Sequence, residues 1–394
     1  MPFYVRSGKV PPQRHTQLRN SEDQLMHEEL ISRYGFSDIY SNVYHLSPPT
    51  RITHVGGYEP FQIATSLDER LRHHHWLTAQ LPVNESEVFS RHYLAFNSDV
   101  RVAIAKPKKS SPFYYRNARA DEVIFIQTGS GKLQTMFGRL DFVQGDYLVV
   151  PRGVLYQLDF ANENNYHLVI ETAGPLNPPA HFLNRFGQFL ESAPYAERDL
   201  RPPLFTPAST IQQESERAYR LLINNWQGLQ TLYMDRHPFD LVAWDGYYYP
   251  YAFNIRNYMP RVGKVHLPPP EHLTFTAPGL VICSFVPRLF DFHEKAIPAP
   301  YNHSNVDSDE ILFYVEGDFM SRKGISPGSI TLHPMGLSHG PQPGKYEASI
   351  GKKETHEYAV MLDTFQPLQR TALSDTIEDP HYPMSWYPEA QQEK

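Results

Sequence analysis

The chain has 394 residues, 41% hydrophobic and 20% charged, with a formal net charge of −7. These values fit a folded globular protein with room for two or three domains, and they exclude a disordered chain. The single cysteine, Cys283, rules out intramolecular disulfides and cysteine-based zinc sites; the one basic run, Lys106 to Lys109, gives no reason to expect a nucleic-acid partner; and no apolar run reaches the ~18 residues of a membrane span.

The N-terminus, MPFYVRSGKVPPQRH, lacks the apolar stretch of a signal peptide, so a cytoplasmic protein is expected. Proline is unusually frequent, at 35 residues spread along the chain, and the 25 tyrosines and 23 phenylalanines favour strands. Many short strands joined by turns are therefore expected. The run RHHHW, Arg72 to Trp76, looks metal-like. Three adjacent imidazoles cannot all face one ion from a regular strand or helix, so a surface or interface segment is expected there. The stretches Tyr115 to Gly129 and Gly145 to Tyr156 read as strands closed by glycine and Pro-x-Gly turns. Pro-rich connectors follow, AGPLNPPAHF and PLFTP. The stretch Thr210 to Asn225 opens with a Thr-x-x-Gln capping box, and the spacing of Ala218, Leu221 and Leu222 predicts a helix bridging two β-lobes.

The later half echoes the earlier one. YRNARADEVIFIQTG (Tyr115 to Gly129) aligns with HSNVDSDEILFYVEG (His303 to Gly317), matching Asn117 with Asn305, Asp121–Glu122 with Asp309–Glu310, Phe125 with Phe313 and Gly129 with Gly317. GDYLVVPRGVLY (Gly145 to Tyr156) aligns with GSITLHPMGLSH (Gly328 to His339), with Gly, Pro and Gly at the same offsets. Two blocks in one order with the same turn punctuation indicate a duplicated β-unit of jelly-roll type.

The polar positions of the two copies differ. The later copy holds His303, Glu310 and His339 where the earlier holds Tyr115, Glu122 and Tyr156. Two imidazoles and one carboxylate form the facial ligand set of non-haem Fe(II), which leaves coordination positions open. Two phenols and a carboxylate suit a divalent ion poorly. The later copy is thus equipped for metal and the earlier reads as scaffold. His333 is expected to support the site or pack, and Asp307 and Asp309 to orient ligands or lie in a solvated loop. His356 and Glu357 open a core strand, where packing is the expected role.

His-x6-Glu followed by GSITLHPMGLSHGP resembles the two motifs of the cupin superfamily. More narrowly, the chain resembles the homogentisate 1,2-dioxygenase family. The resemblance is carried by His237 to Tyr258, Val281 to Arg288, Pro298 to Asn305 and Ser338 to Gly344, runs from Pro238 to about Phe365, and is weaker toward the N-terminus. It implies that His303, Glu310 and His339 hold Fe(II). It implies that His266 is the catalytic histidine acting on a ring hydroxyl, with His272 a rival for that role. Tyr301, Phe319 and His339 would line the substrate pocket. Phe319 stands where the family carries a tyrosine, and one extra residue separates His303 from Glu310, so a related para-diol stays open beside homogentisate. Family membership also implies a homo-oligomer, trimer or hexamer.

The expected architecture is mainly β: a two-lobed cupin, or double jelly-roll, with few helices. A degenerate N-terminal unit would span residues 1–180, a helical connector 181–240 and a metal-binding unit 241–394. The expected function is Fe(II)-dependent ring cleavage of a carboxylated hydroquinone with O2, in tyrosine and phenylalanine catabolism. The alternatives are a metal-dependent cupin isomerase or decarboxylase and a ligand-binding cupin without turnover.

Overall fold

The computed structural model describes residues 3–208, 218–264 and 266–387. Strands dominate, and the two α-helices among the described residues, Lys345–Ser349 and Ala372–Thr376, have five residues each. The sequence echo is present in three dimensions. Asp121–Thr128 and Asp309–Glu316 are both eight-residue strands inside their sheets, buried along most of their length. Apolar side chains on both faces suit strands that are covered on both sides. Asp121–Thr128 lies between Asp146–Val150 and Tyr166–Thr172, and Asp309–Glu316 lies between Ile330–His333 and Tyr358–Thr364, all antiparallel. The turns agree closely: φ is 109° at Gly129 and 108° at Gly317, and 87° at both Gly145 and Gly328. Only glycine adopts such angles without strain. At Gly317 a Cβ would also lie 2.5 Å from the His356 carbonyl oxygen.

The earlier copy belongs to two seven-stranded sheets, the later to a six-stranded sheet with two short ribbons, Arg288–Leu289 with Glu354–Thr355 and His303–Ser304 with Ser338–His339. The copies meet through equivalent residues. Phe125 and Phe313 are both fully buried, with ring centroids 6.0 Å apart and edge to face. Two positions on, Gln127 Nε2 donates to the Val315 carbonyl at 2.8 Å. The architecture is the expected one, mainly β with two cupin units.

Sheet membership does not follow the expected boundaries at 180 and 240. Leu241–Gly246 pairs with Val5–Gly8 and Tyr40–His45, and Tyr251–Asn254 pairs with Asp146–Val150. The lobes also exchange edge strands: His74–Trp76 completes the later sheet beside Ile330–His333, while Gln369–Arg370 completes an earlier one beside Arg91–Phe96. Each exchange covers a sheet edge that would otherwise present unpaired backbone groups. The expected helix over Thr210 to Asn225 is corrected in its second part, where Tyr219–Asn224 is a strand; its first part, residues 210–217, lies outside the described residues. That strand runs parallel to Tyr114–Asn117 and antiparallel to Gly228–Met234, so ladders on both sides override the local helical spacing.

Truncating a contact at the seam between the copies should be costly. Phe313→Ala is expected to destabilise the protein by about 3–5 kcal/mol, read as a lowered denaturant midpoint. Phe36→Ala, at a side chain that is 91% exposed, should shift it by no more than about 0.5 kcal/mol.

Candidate metal centre

The ribbon of His303–Ser304 with Ser338–His339 sets His303 directly opposite His339. Glu310 projects from the start of the adjoining long strand. One ligand atom from each of His303, Glu310 and His339 lies within 4.8 Å of the others. His303 Nε2 is 3.7 Å from Glu310 Oε2, and His339 Nε2 is 3.4 Å from Glu310 Oε1. The other nitrogen of each ring is held by its own backbone: His303 Nδ1 donates to the Tyr301 carbonyl and His339 Nδ1 to the Leu337 carbonyl, both at 3.2 Å. A carbonyl only accepts, so each Nδ1 carries the proton and each Nε2 presents a lone pair. His339 Nε2 is buried and makes no well-formed hydrogen bond despite its nearness to Glu310. Two imidazole lone pairs facing a carboxylate, one of them buried and unpaired, suit a divalent metal ion.

Further groups surround this set. His333 Nδ1 donates to Glu310 Oε1 at 2.7 Å, and Tyr382 Oη lies 3.1 Å from its Nε2. Burial pushes His333 down to about 3, so it is the neutral form that orients the carboxylate. Burial pushes Glu310 up, but the neighbouring imidazoles of His303, His333 and His339 more than offset this and hold it well below the usual carboxylate range. Asp363 lies across the ladder from Glu310. Burial, and then Glu310, push it up to about 7. Asp309 accepts from the Met335 and Leu368 backbone N–H groups and so fixes the turn beside Glu310.

The earlier copy builds the same cradle around a guanidinium. Tyr115 and Tyr156 are cross-strand partners, as His303 and His339 are. Into their midst comes Arg91. Its Nη1 donates to Glu122 Oε1 at 2.5 Å, to Glu171 Oε1 at 2.7 Å and to Tyr115 Oη at 3.3 Å, its Nη2 to Tyr156 Oη at 3.0 Å, and its Nε to Glu87 Oε1 at 3.0 Å. Glu171 faces Glu122 across the ladder as Asp363 faces Glu310. A protein guanidinium thus sits among the residues equivalent to the metal-suited triad. Sequence reading missed Arg91, Glu171 and Asp363. Arg91 precedes the repeated block, and the two acids sit at the ends of apolar strands whose spacing from the matched block differs.

The remaining expected residues are placed as follows. His266 is exposed, pairs through Nδ1 with Asp291 Oδ2 at 2.9 Å, and lies edge-on to Tyr301 with centroids 5.3 Å apart. Tyr301 in turn lies 6.4 Å from the His303 ring. His266 therefore borders the side of the triad where Tyr301 stands. His272 is buried against Phe285, and burial, with Arg288 next, pushes it down to about 3. Phe319 is buried edge-on to Tyr314. His356 is exposed, and Glu357 accepts from the Met320 backbone N–H. Of the surface and interface alternatives for the RHHHW segment, the surface one does not hold: His74 and His75 are buried in a strand that joins the edge of the later sheet. The three imidazoles diverge, His74 to Glu378, His75 to Asp379 and His73 to the Ser338 carbonyl.

Two β-units of this topology, one with a two-histidine, one-carboxylate cluster, define a cupin protein. Comparison with known sequences goes further. Residues 93–255 match the family model described as homogentisate 1,2-dioxygenase N-terminal, and residues 269–392 match its C-terminal counterpart. A Saccharolobus solfataricus protein, named provisionally as a dioxygenase with no substrate given, is 39% identical over 98% of this chain and 100% of its own. The chain belongs to the homogentisate 1,2-dioxygenase family. The homogentisate 1,2-dioxygenases of Bradyrhizobium diazoefficiens and Arabidopsis thaliana are each 29% identical, over 68% and 60% of this chain. The chain spans 60% and 51% of their respective lengths. Among solved structures, a cupin 2 conserved barrel domain protein from Leptotrichia buccalis has a TM-score of 0.34 at 8% identity, covering 77% of this chain and 100% of its own. A salicylate 1,2-dioxygenase from Pseudoaminobacter salicylatoxidans has a TM-score of 0.36 at 9% identity, covering 78% and 82%. No helix among the described residues is long and apolar enough to cross a membrane.

Arg91 faces Glu87, Glu122 and Glu171, all buried. Removing it leaves those carboxylates without their guanidinium, so Arg91→Met is expected to cost about 3–5 kcal/mol. Tyr156→Phe, which removes only hydrogen bonds, should cost about 1–3 kcal/mol. Chemical denaturation of the two variants would test this ordering.

Proposed function

We propose that this protein is an Fe(II)-dependent dioxygenase that cleaves the ring of homogentisate, or of a closely related carboxylated hydroquinone, with both atoms of O2 entering the product. The observation that carries the reading is the convergence of two anchored imidazoles and one carboxylate, a three-ligand set that on Fe(II) leaves coordination positions open. His303, Glu310 and His339 would hold the ion. When bound, it would supply Lewis acidity to a phenolic oxygen and a place for O2 beside the ring.

The chain's own residues have separable tasks. The Tyr301 and Leu337 carbonyls keep the Nε2 atoms of His303 and His339 unprotonated toward the ion. His333 holds Glu310 in place through the carboxylate oxygen Oε1. His266, with its Nδ1 proton directed at Asp291, offers Nε2 as acceptor for the proton of the second ring hydroxyl. Tyr301, standing between His266 and His303, gives the aromatic ring a wall to lie against. Phe319 contributes an apolar boundary where the family carries a hydroxyl, which shifts discrimination among substituted hydroquinones. With homogentisate the product would be maleylacetoacetate, a step of tyrosine and phenylalanine breakdown. A homo-oligomer, trimer or hexamer, and a cytoplasmic location accompany this reading.

Two measurements test it. Protein reconstituted anaerobically with ferrous iron should consume one O2 per homogentisate, and His339→Ala should lose iron and activity together. Full iron retention in that variant, or no oxygen uptake across a panel of hydroquinones, would overturn the reading. His266→Phe should keep its iron while kcat falls by about 10²–10⁴-fold, seen by pairing metal analysis with an oxygen electrode.

A further inference from the structure

The strand that carries His339 is held by groups from both ends of the chain. His73 immediately precedes the edge strand His74–Trp76 that crosses into the later sheet, and Trp386 comes from near the C-terminus. His73 Nε2 lies 3.2 Å from the Ser338 carbonyl oxygen, and Trp386 Nε1 donates to the Gly340 carbonyl at 3.0 Å. These carbonyls flank His339 on either side. The two clamping rings also pack on each other, with centroids 4.9 Å apart. His73 stands edge-on to the His339 ring at 6.0 Å and to the His333 ring at 5.3 Å. Beneath the clamp the backbone is tight: a Cβ on Gly340 would lie 2.1 Å from Asn302 Oδ1, next to His303.

We propose that His73 and Trp386 are positioning residues that clamp Ser338 to Gly340 and so fix the His339 imidazole for metal. The clamp rests on the metal-site reading given above. Its physical basis is that a ligand strand of two residues has little ladder of its own. The short ribbon His303–Ser304 with Ser338–His339 provides register but few hydrogen bonds. Its backbone carbonyls therefore need external donors: His73 supplies one to Ser338, and Trp386 supplies one to Gly340 alongside the buried Arg322, whose Nη1 donates there at 2.6 Å. His73 lies ahead of the first stretch matched to the family, residues 93–255. The N-terminal segment thereby becomes part of the metal lobe's active face rather than only a cover for its sheet edge.

The test uses the full chain loaded anaerobically with Co(II), a spectroscopic probe of the site, and titrated against a chelator. His73→Phe keeps a ring but loses the donor, and Trp386→Phe does the same on the other side. Each is expected to weaken Co(II) affinity by about 10-fold or more and to shift the visible Co(II) bands, with the metal-free Tm close to that of the parent. His73→Gln, which returns a donor at similar reach, should recover most of the affinity. Should His73→Phe fail to fold, Trp386→Phe carries the same expectation. If both variants bind Co(II) as the parent does, with unchanged bands, or lose only Tm, the clamp is refuted while the site stands. If the parent takes up no Co(II), or His339→Ala retains it, the metal-site reading falls and the clamp with it.

Discussion

A carboxylate buried near the start of a fully paired strand needs a cation or a set of donors around it, and this structure meets that need twice. Glu122 and Glu310 occupy equivalent positions, each backed by a second acid across the ladder, Glu171 and Asp363. An unpaired buried charge costs several kcal/mol, so neither strand is stable as drawn without compensation. The earlier unit answers with Arg91, whose nitrogens reach Glu87, Glu122 and Glu171. The later unit answers with one donor, His333, and two imidazoles whose lone pairs, facing the carboxylate, suit a metal cation among them. A guanidinium fills its cradle with covalently attached donors. Imidazoles with their protons turned away leave lone pairs, and lone pairs invite a metal. The difference between the arginine-filled lobe and the one suited to metal is thus a change from phenol to imidazole at two positions, together with an arginine supplied from outside the repeat.

Much of this was legible in the sequence because it is written locally. Glycines at repeated offsets demand positive φ, Asp-Glu opens each long strand, and histidine replaces tyrosine at matched positions, so the duplication and the triad could be read without coordinates. What could not be read was contributed from far along the chain. Arg91 lies 31 residues from Glu122, outside the repeat. His73 lies 265 residues from Ser338. Asp363 sits in an apolar strand and has no motif around it. The segment Tyr219–Asn224 was misread as helix for a related reason: its apolar spacing is compatible with both periods, and its flanking strands, Tyr114–Asn117 and Gly228–Met234, decide between them. For the RHHHW run the sequence left surface and interface open, since its burial depends on a sheet edge more than two hundred residues away in sequence.

The exchanged edge strands bear on how the lobes depend on each other. His74–Trp76 closes the metal lobe, while Gln369–Arg370 closes the other, so neither lobe owns all of its sheet edges. The seam adds Phe125 against Phe313 and the Gln127 bond to Val315. Packing damage in the earlier unit therefore has a direct route to the strand bearing Glu310. Phe313 stands three residues beyond Glu310 on the same strand, and the ladder transmits displacement with little slack in a close-packed core.

The metal site proposed for the later lobe depends on where two protons are kept. An imidazole beside a carboxylate gains by being protonated on the nitrogen that faces it, which would turn His303 and His339 into hydrogen-bond donors to Glu310 and close the site to metal. The carbonyls of Tyr301 and Leu337 oppose this by claiming the Nδ1 proton of each neutral ring. Both carbonyls lie two residues before their histidine, so the same local backbone shape delivers each ring in the same tautomer. The ribbon then sets the rings opposite each other, 4.2 Å between centroids. In the other unit the equivalent tyrosines have no such choice, because a phenol beside a carboxylate donates to it: Tyr115 and Tyr156 donate to Glu122 at 3.1 and 2.9 Å. The backbone that fixes the tautomer is therefore as much a part of the candidate centre as the side chains that would touch the ion.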